Sequence, residues 1–311
     1  MQRIEAHDIT GPTVVTIGNF DGIHLGHRRL IERAREVSDL AQLPMVVLTF
    51  EPHPAAVLRG SVDHLLIAPG SQKYELLAQI GVPQVRVLPF TPEFARMPAS
   101  DFLNQTLAGE LQARWIVVGY NFTFGFKGLG NVGLLAEWGR DRGVGLEIVE
   151  PFRVPITDAV VSSSAIRGLI AQGAVERAGE YLGHPFVVAG VVRRGDQRGR
   201  DLGAPTLNLD WRSDQVMPPY GIYAGWVCLP ANLGRRMAVA NFGVRPTFGD
   251  NPPLLEVHVL DGGIGDLYGQ VIQFEFHFYL REERRFSHVS DLAAMIQEDI
   301  ANARERLQSR G

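Results

Sequence analysis

Two hydrophobic textures divide the chain. From residue 13 to about 149, short apolar runs without polar interruption alternate with longer stretches whose apolar positions recur at helical spacing. The pattern predicts strands at residues 13–17, 45–50, 85–88, 115–118 and 146–149, with helices at 25–40, 73–80, 101–111 and 132–141. Leu30, Ile31, Ala34 and Val37 share one face of the first helix, Pro52 and Pro54 stop the second strand, and Ser100 stands where it would cap the third helix. Unbroken apolar runs are strands covered on both faces, and their alternation with helices implies a parallel sheet with helices on either side. Such a sheet takes ligands beyond the carboxyl ends of its strands, which directs attention to the loops that follow them.

After Gly183-His184-Pro185 the texture changes. Short β-rich runs at 186–192, 221–227, 237–241, 254–260 and 271–280 follow one another between turn residues, and no helical pattern returns until 289–307. This predicts a small closed β-barrel with one terminal helix. The expected domains are residues 1–184 and 185–311, a division that also suits a chain of 311 residues, since single cores stop growing near roughly 250–300.

Composition narrows the function classes. A hydrophobic content of 45% with 21% charged residues belongs to an ordinary soluble globular protein and excludes a disordered or fibrous one. A net charge of -4 argues against a nucleic-acid binder, and no apolar run approaches the roughly 18 residues needed to span a bilayer. The single cysteine, Cys228, excludes an intrachain disulfide and a cysteine-rich zinc site, and it points to the cytoplasm; residues 1–10 lack the layout of a signal peptide. Lys73 and Lys127 are the only lysines, and neither lies in a P-loop motif.

The first predicted strand runs into Ile17-Gly18-Asn19-Phe20-Asp21-Gly22-Ile23-His24-Leu25-Gly26-His27. His24 and His27, three residues apart, share a face on the first turn of a helix, beside amides that favour anions. Taken alone, the pair equally suits two surface histidines or half of a metal site. Its position after the first parallel strand resembles the nucleotidylyltransferase superfamily, and the full string resembles the FAD synthetase module of bacterial bifunctional riboflavin kinase/FAD synthetases. Further strings resemble the same family in order: Thr49-Phe50-Glu51-Pro52-His53-Pro54, Gly119-Tyr120-Asn121-Phe122-Thr123-Phe124-Gly125, and Ser162-Ser163-Ser164-Ala165-Ile166-Arg167. Asn121 stands where the family often has Asp, and Ser164 replaces a threonine. The resemblance implies catalytic His24 and His27, with ATP bound by Gly18, Asn19, Phe20, Asp21, Gly26, Asn121, Ser162, Ser164 and Arg167. Gly128-Leu129-Gly130-Asn131-Val132-Gly133 fits a dinucleotide fingerprint, yet it follows a late strand at a distance. A loop closing over ATP is the preferred reading of it.

The C-terminal half carries Gly195-Asp196-Gln197-Arg198-Gly199-Arg200 followed by Leu202-Gly203-Ala204-Pro205-Thr206-Leu207-Asn208. By itself this is a glycine-rich phosphate loop or a solvated charge run. It resembles the riboflavin kinase signature, with Ala204 in place of phenylalanine and Leu207 in place of alanine. Asn241-Phe242-Gly243-Val244-Arg245-Pro246-Thr247-Phe248, Leu255-Glu256-Val257-His258 and Leu280-Arg281-Glu282-Glu283-Arg284-Arg285-Phe286 extend the likeness, Arg285 standing where lysine is usual. The resemblance implies Mg·ATP binding by Gly195, Gly203, Pro205, Thr206 and Asn208, with Thr206 and Asn208 on Mg²⁺. It also implies Glu256 as general base and flavin contacts from Arg281 and Phe286.

The implied fold is an α/β, Rossmann-like nucleotidylyltransferase sheet followed by a six-stranded antiparallel riboflavin-kinase barrel with a C-terminal helix. The implied function is two ATP-dependent steps, riboflavin to FMN and FMN to FAD, on small molecules, without nucleic acid or membrane. Two rivals stay open at this point. One is a monofunctional FMN adenylyltransferase whose altered barrel only binds flavin, and the other is a flavin-sensing regulator. Oligomeric state is not legible in the sequence.

Overall fold

Strand β2 (Thr13–Ile17) is buried at every position, as are all but the last residue of β3 (Met45–Glu51). They form the middle of a wholly parallel six-stranded sheet that also contains β1 (Gln2–Ile4), β4 (Gln84–Pro89), β5 (Ala113–Gly119) and β8 (Gly145–Val149). The order is β1-β4-β3-β2-β5-β8. Alternation sends Val15, Ile17, Val46 and Leu48 to one face, where they meet Phe102, Leu103, Leu107 and Trp138. Val14, Met45, Val47 and Val117 go to the other, against Leu30, Ile31, Ala34 and Val37 of helix α1 (Leu25–Ala41) and Leu77 of the next long helix. Two cores therefore sandwich one sheet, which is why its strands read as unbroken apolar runs.

Residues 1–61, 65–155, 157–194, 206–230, 233–244, 253–261, 264–284 and 286–309 are described by this computed structural model. The chain divides into two units, Met1–Ala165 and Ile166–Gly311. In the first, three details differ from the sequence reading. Strand β1 was not foreseen, because three edge residues of mixed polarity carry no periodic signal. Ser100 is not a cap: the helical segment starts at Ala99 with Pro98 at the capping position, and the Ser100 hydroxyl donates to Asp101. The segment continues as a π-helix over Phe102–Glu110. The glycine-rich string is a hairpin, β6 (Thr123–Phe124) with β7 (Gly130–Asn131), whose last residue caps the helix Val132–Arg142 by accepting from Leu134 N at 3.0 Å. Gly130 is required by packing, since a Cβ there would lie 2.5 Å from the Phe124 ring. That is not dinucleotide-binding geometry.

The second unit contains a closed antiparallel barrel, β10-β13-β12-β11-β14-β9. Its strands are β9 (Phe186–Arg193), β10 (Thr206–Asp210), β11 (Gly221–Cys228), β12 (Arg235–Gly243), β13 (Leu254–Val259) and β14 (Val271–Arg281). The fully buried rings of Phe186, Tyr223, Phe242, Phe274 and Phe276 fill it. The sixth strand, β10, coincides with a segment read from sequence only as a ligand-binding string. The terminal helix (Val289–Gln308) packs Ala303 and Leu307 against Ala224 and Phe278. Asp299 of this helix accepts two hydrogen bonds from the Arg281 guanidinium, at 2.9 and 2.7 Å.

On the barrel wall, Glu275 accepts from Arg235 Nε at 3.0 Å and from the Cys228 thiol at 3.3 Å. Burial alone would raise its pKa, but the hydrogen bonds from His277 and Arg235 outweigh that and pull it down to about 2. A depressed carboxylate pKa contributes stability that is present above the unfolded value and lost as pH falls through the folded one. Thermal melts of wild type and Glu275→Gln should therefore differ most at neutral pH and converge between pH 4.5 and about 2. Parallel curves across that window would show that Glu275 contributes no such linkage.

Candidate active sites

The chain passes from β2 to β3 and β4 on one side of the sheet, then crosses to β5 and β8 on the other. The strand order therefore changes direction between β2 and β5, and the loops beyond the carboxyl ends at such a point are the usual ligand position in an open parallel sheet. Residues 18–24 follow β2 at this point. Phe20 and Ile23 hold φ values of 49° and 42°, with Gly22 between them at 78°. A β-branched residue in the left-handed region is strained, and strain of this kind persists only where the surroundings enforce it. Here both side chains are fully buried. Asp21, 2% exposed, accepts from Ile67 N at 2.9 Å and Ala68 N at 3.1 Å, tying down a second loop. Phe20 and Asp21, expected on ATP, thus point into the protein and support the turn. Asn19 is exposed, and its carbonyl accepts from the Thr49 hydroxyl at 3.3 Å.

The turn delivers His24 as the N-cap of α1. Its Nδ1 accepts from His27 N at 3.2 Å, which leaves Nε2 as the proton-bearing nitrogen of the neutral ring. The His24 and His27 rings stack, centroids 3.6 Å apart and 15° from parallel. Gly26 permits this arrangement, because a Cβ there would lie 3.2 Å from the His24 ring. Burial first, and then the neighbouring His24, hold the His27 pKa well below the ordinary imidazole range. His27 Nδ1 is sealed from solvent without a partner. The stacked rings stand at a helix start, a position suited to an anion whose charge rises during reaction.

Ser162 caps the helix Ser163–Ala171 by accepting from Ala165 N at 3.2 Å, and the Ser163 hydroxyl reaches the Asp21 carbonyl at 3.4 Å. Ser164 is exposed, and Arg167 is half-buried one turn later. Asn121 is exposed in the turn after β5, which Phe122 N closes onto Gly119 O at 3.0 Å. Sequence reasoning gave no role to Lys73. It is 9% exposed, donates to Phe50 O at 3.3 Å and lies 3.8 Å from Glu51, placing a buried cation at the end of β3. Burial lowers its pKa, partly offset by Glu51. Its rarity in a chain so poor in lysine was the available signal.

In the barrel, alternation settles which way Glu256 faces. Leu255 and Val257 are fully buried, so Glu256 and His258 stand on the outer face. Glu256 lies opposite Asn208 of β10 and, on its other side, opposite Asn241 of β12; Thr206 lies opposite His258. Directly opposed side chains share a face, so Thr206, Asn208, Asn241, Glu256 and His258 form one polar surface. Asn208 is only 4% exposed, which marks this part of the surface as enclosed. Leu207 points the other way, buried among the lumen residues, so its departure from the family string does not touch the polar face. Arg281, expected to contact flavin, is paired with Asp299 at 2.7 Å. Phe286 is half-buried beyond β14. Gly195, Gly203, Pro205, Ala204, Arg285 and the string from Arg245 to Phe248 lie outside the described residues.

The FAD synthetase family model matches residues 6–165, and the riboflavin kinase family model matches residues 182–307. The chain belongs to the bifunctional riboflavin kinase/FMN adenylyltransferase family. Relatives bearing that description are 34% identical in Bacillus subtilis, covering 94% of this chain and 91% of the relative. In Escherichia coli K12 the figures are 36%, 94% and 92%, and in Pseudomonas fluorescens 35%, 94% and 92%. A solved Streptococcus pneumoniae structure described as a macrolide-efflux protein is 30% identical, with a TM-score of 0.87 over 97% of this chain and 98% of that one. Among the described residues, no helix is long and apolar enough to cross a membrane.

His24 has a structural duty that its chemistry does not require, and the two are separable. His24→Asn keeps a capping acceptor and should melt close to wild type. His24→Ala removes it and should lose about 1 kcal/mol in chemical unfolding of the first unit. Equal stability of the two variants would mean that the cap contributes nothing.

Proposed function

We propose that this chain phosphorylates riboflavin to FMN and adenylylates FMN to FAD, each step with ATP and the second releasing pyrophosphate. The observation that carries the reading is the occurrence of two separate polar constellations at positions where each fold leaves room for ligand. These are the stacked His24 and His27 at the end of β2, and the Thr206, Asn208 and Glu256 face outside the barrel. We assign the adenylyltransferase to residues 1–184 and the kinase to residues 185–311, and place the protein in the cytoplasm without nucleic-acid or membrane partners.

In the kinase step Glu256 takes the proton of the terminal ribityl hydroxyl as that oxygen attacks the γ-phosphorus and ADP departs. General-base help of this kind is worth about 10²–10⁴-fold. Thr206 and Asn208 offer a hydroxyl and an amide oxygen two residues apart on one face, hard neutral donors that fit Mg²⁺. Bound there with ATP, Mg²⁺ would offset the charge of the triphosphate. In the adenylyl step a phosphate oxygen of FMN attacks the α-phosphorus. His24 and His27 donate hydrogen bonds to its oxygens as charge develops, while Ser162, Ser164 and Arg167 receive the pyrophosphate. Gly18, Asn19, Gly26 and Asn121 contact ATP. Arg281 and Phe286 contact the flavin. The monofunctional alternative loses ground because Leu207, one of its two motivating departures, is a core residue.

Glu256→Gln should fail to make FMN from riboflavin yet convert supplied FMN to FAD near the wild-type rate. His27→Ala should accumulate FMN and form FAD at least about 10²-fold more slowly, as after loss of one preorganised donor. Loss of both activities in a folded Glu256→Gln protein would refute the division of labour. Both reactions should also stop in excess chelator and resume with Mg²⁺ or Mn²⁺; turnover undiminished by chelation would remove the metal from the scheme.

A further inference from the structure

Asn241 occupies the outer face of the barrel with its acceptor unmet. It lies on β12 directly opposite Glu256, which lies opposite Asn208 on β10, so three polar side chains cross three neighbouring strands in one row. Its sequence neighbours Ala240 and Phe242 are fully buried toward the lumen, which leaves Asn241 on the same side as Glu256. The Asn241 Oδ1 is closed off from solvent and has no hydrogen-bond partner. Native proteins leave few buried acceptors in that condition, and an amide oxygen only accepts. Whatever completes it must bring a donor. It must also tolerate a carboxylate one strand away, at about 4.8 Å strand spacing. A neutral hydroxyl meets both demands, and a phosphate oxygen meets neither.

The geometry points to Asn241 as a substrate-binding residue of the kinase step, its Oδ1 accepting a hydrogen bond from the ribityl hydroxyl next to the one phosphorylated. A polyol chain laid across β13 and β12 would present its terminal hydroxyl to Glu256 and the neighbouring one to Asn241. This inference rests on the reading of Glu256 as the base. Asn241 then orients the chain and discriminates against substrates that lack the second hydroxyl, since the site would be left with its acceptor buried and unpaired.

The test is a four-way comparison of kinase kcat/KM: the full-length wild type and Asn241→Ala, each with riboflavin and with riboflavin deoxygenated at the carbon beside the phosphorylated one. Wild type should lose about 10- to 100-fold on the deoxy substrate, the scale of a buried hydrogen bond left unmade. Asn241→Ala should lose a similar factor on riboflavin, lose little more on the deoxy substrate, and keep its KM for ATP. Two losses that multiply in the combination would overturn the proposal, and so would a wild type indifferent to the deoxygenation. The wild-type arm decides this even if the variant folds poorly. Full kinase activity in Glu256→Gln would instead overturn the base assignment, an outcome that the hydroxyl comparison does not share.

Discussion

The period of two along a β-strand governs where chemistry is possible in both halves of this molecule. In the parallel sheet, both faces of each central strand are covered by helices, so neither face has room for a ligand. The stacked His24 and His27 stand instead beyond a strand end, after β2. In the barrel, one set of alternate positions is committed to a lumen packed with aromatic rings. Function is displaced to the other set, on the outside. The two halves fill their interiors completely and place their polar side chains at the two kinds of position that remain.

The turn after β2 shows what such placement costs. Phe20 and Ile23 adopt left-handed backbone conformations that their side chains disfavour, and burial of both rewards the distortion. The Asp21 carboxylate fixes a neighbouring loop, and Gly26 leaves the space that lets two imidazoles stack. Burial and the neighbouring His24 hold the His27 pKa down. Preorganised donors need no reorganisation when charge appears on a transferred group, which is the electrostatic basis of their proposed role.

The barrel solves a different problem. The strand neighbours of Glu256, Asn208 and Asn241, are uncharged amides. Amides surround it with polarity without adding repulsion. Arg281, the last residue of β14, is bonded to Asp299 of the terminal helix, which ties that helix to the barrel.

Periodicity alone determined that the chain is a parallel α/β sheet followed by a β-barrel, because unbroken apolar runs, helical spacing and a late β-rich texture are local signals. The His24 and His27 pair was legible for the same reason: residues three apart at a helix start share a face whatever surrounds them. The direction of Glu256 was not legible, since Leu255-Glu256-Val257-His258 alternates equally well either way round, and only closure of the barrel chose the face. The partnership of Asn208, Glu256 and Asn241 joins Glu256 to residues 48 and 15 positions before it through strand register, which leaves no trace in local pattern. Asp21 and Arg281 read in sequence as ligand contacts and Lys73 had no assigned role; their protein partners come from residues far along the chain. Local chemistry was written in the chain; which side chains meet, and which are left with an acceptor unmet, was decided by the fold.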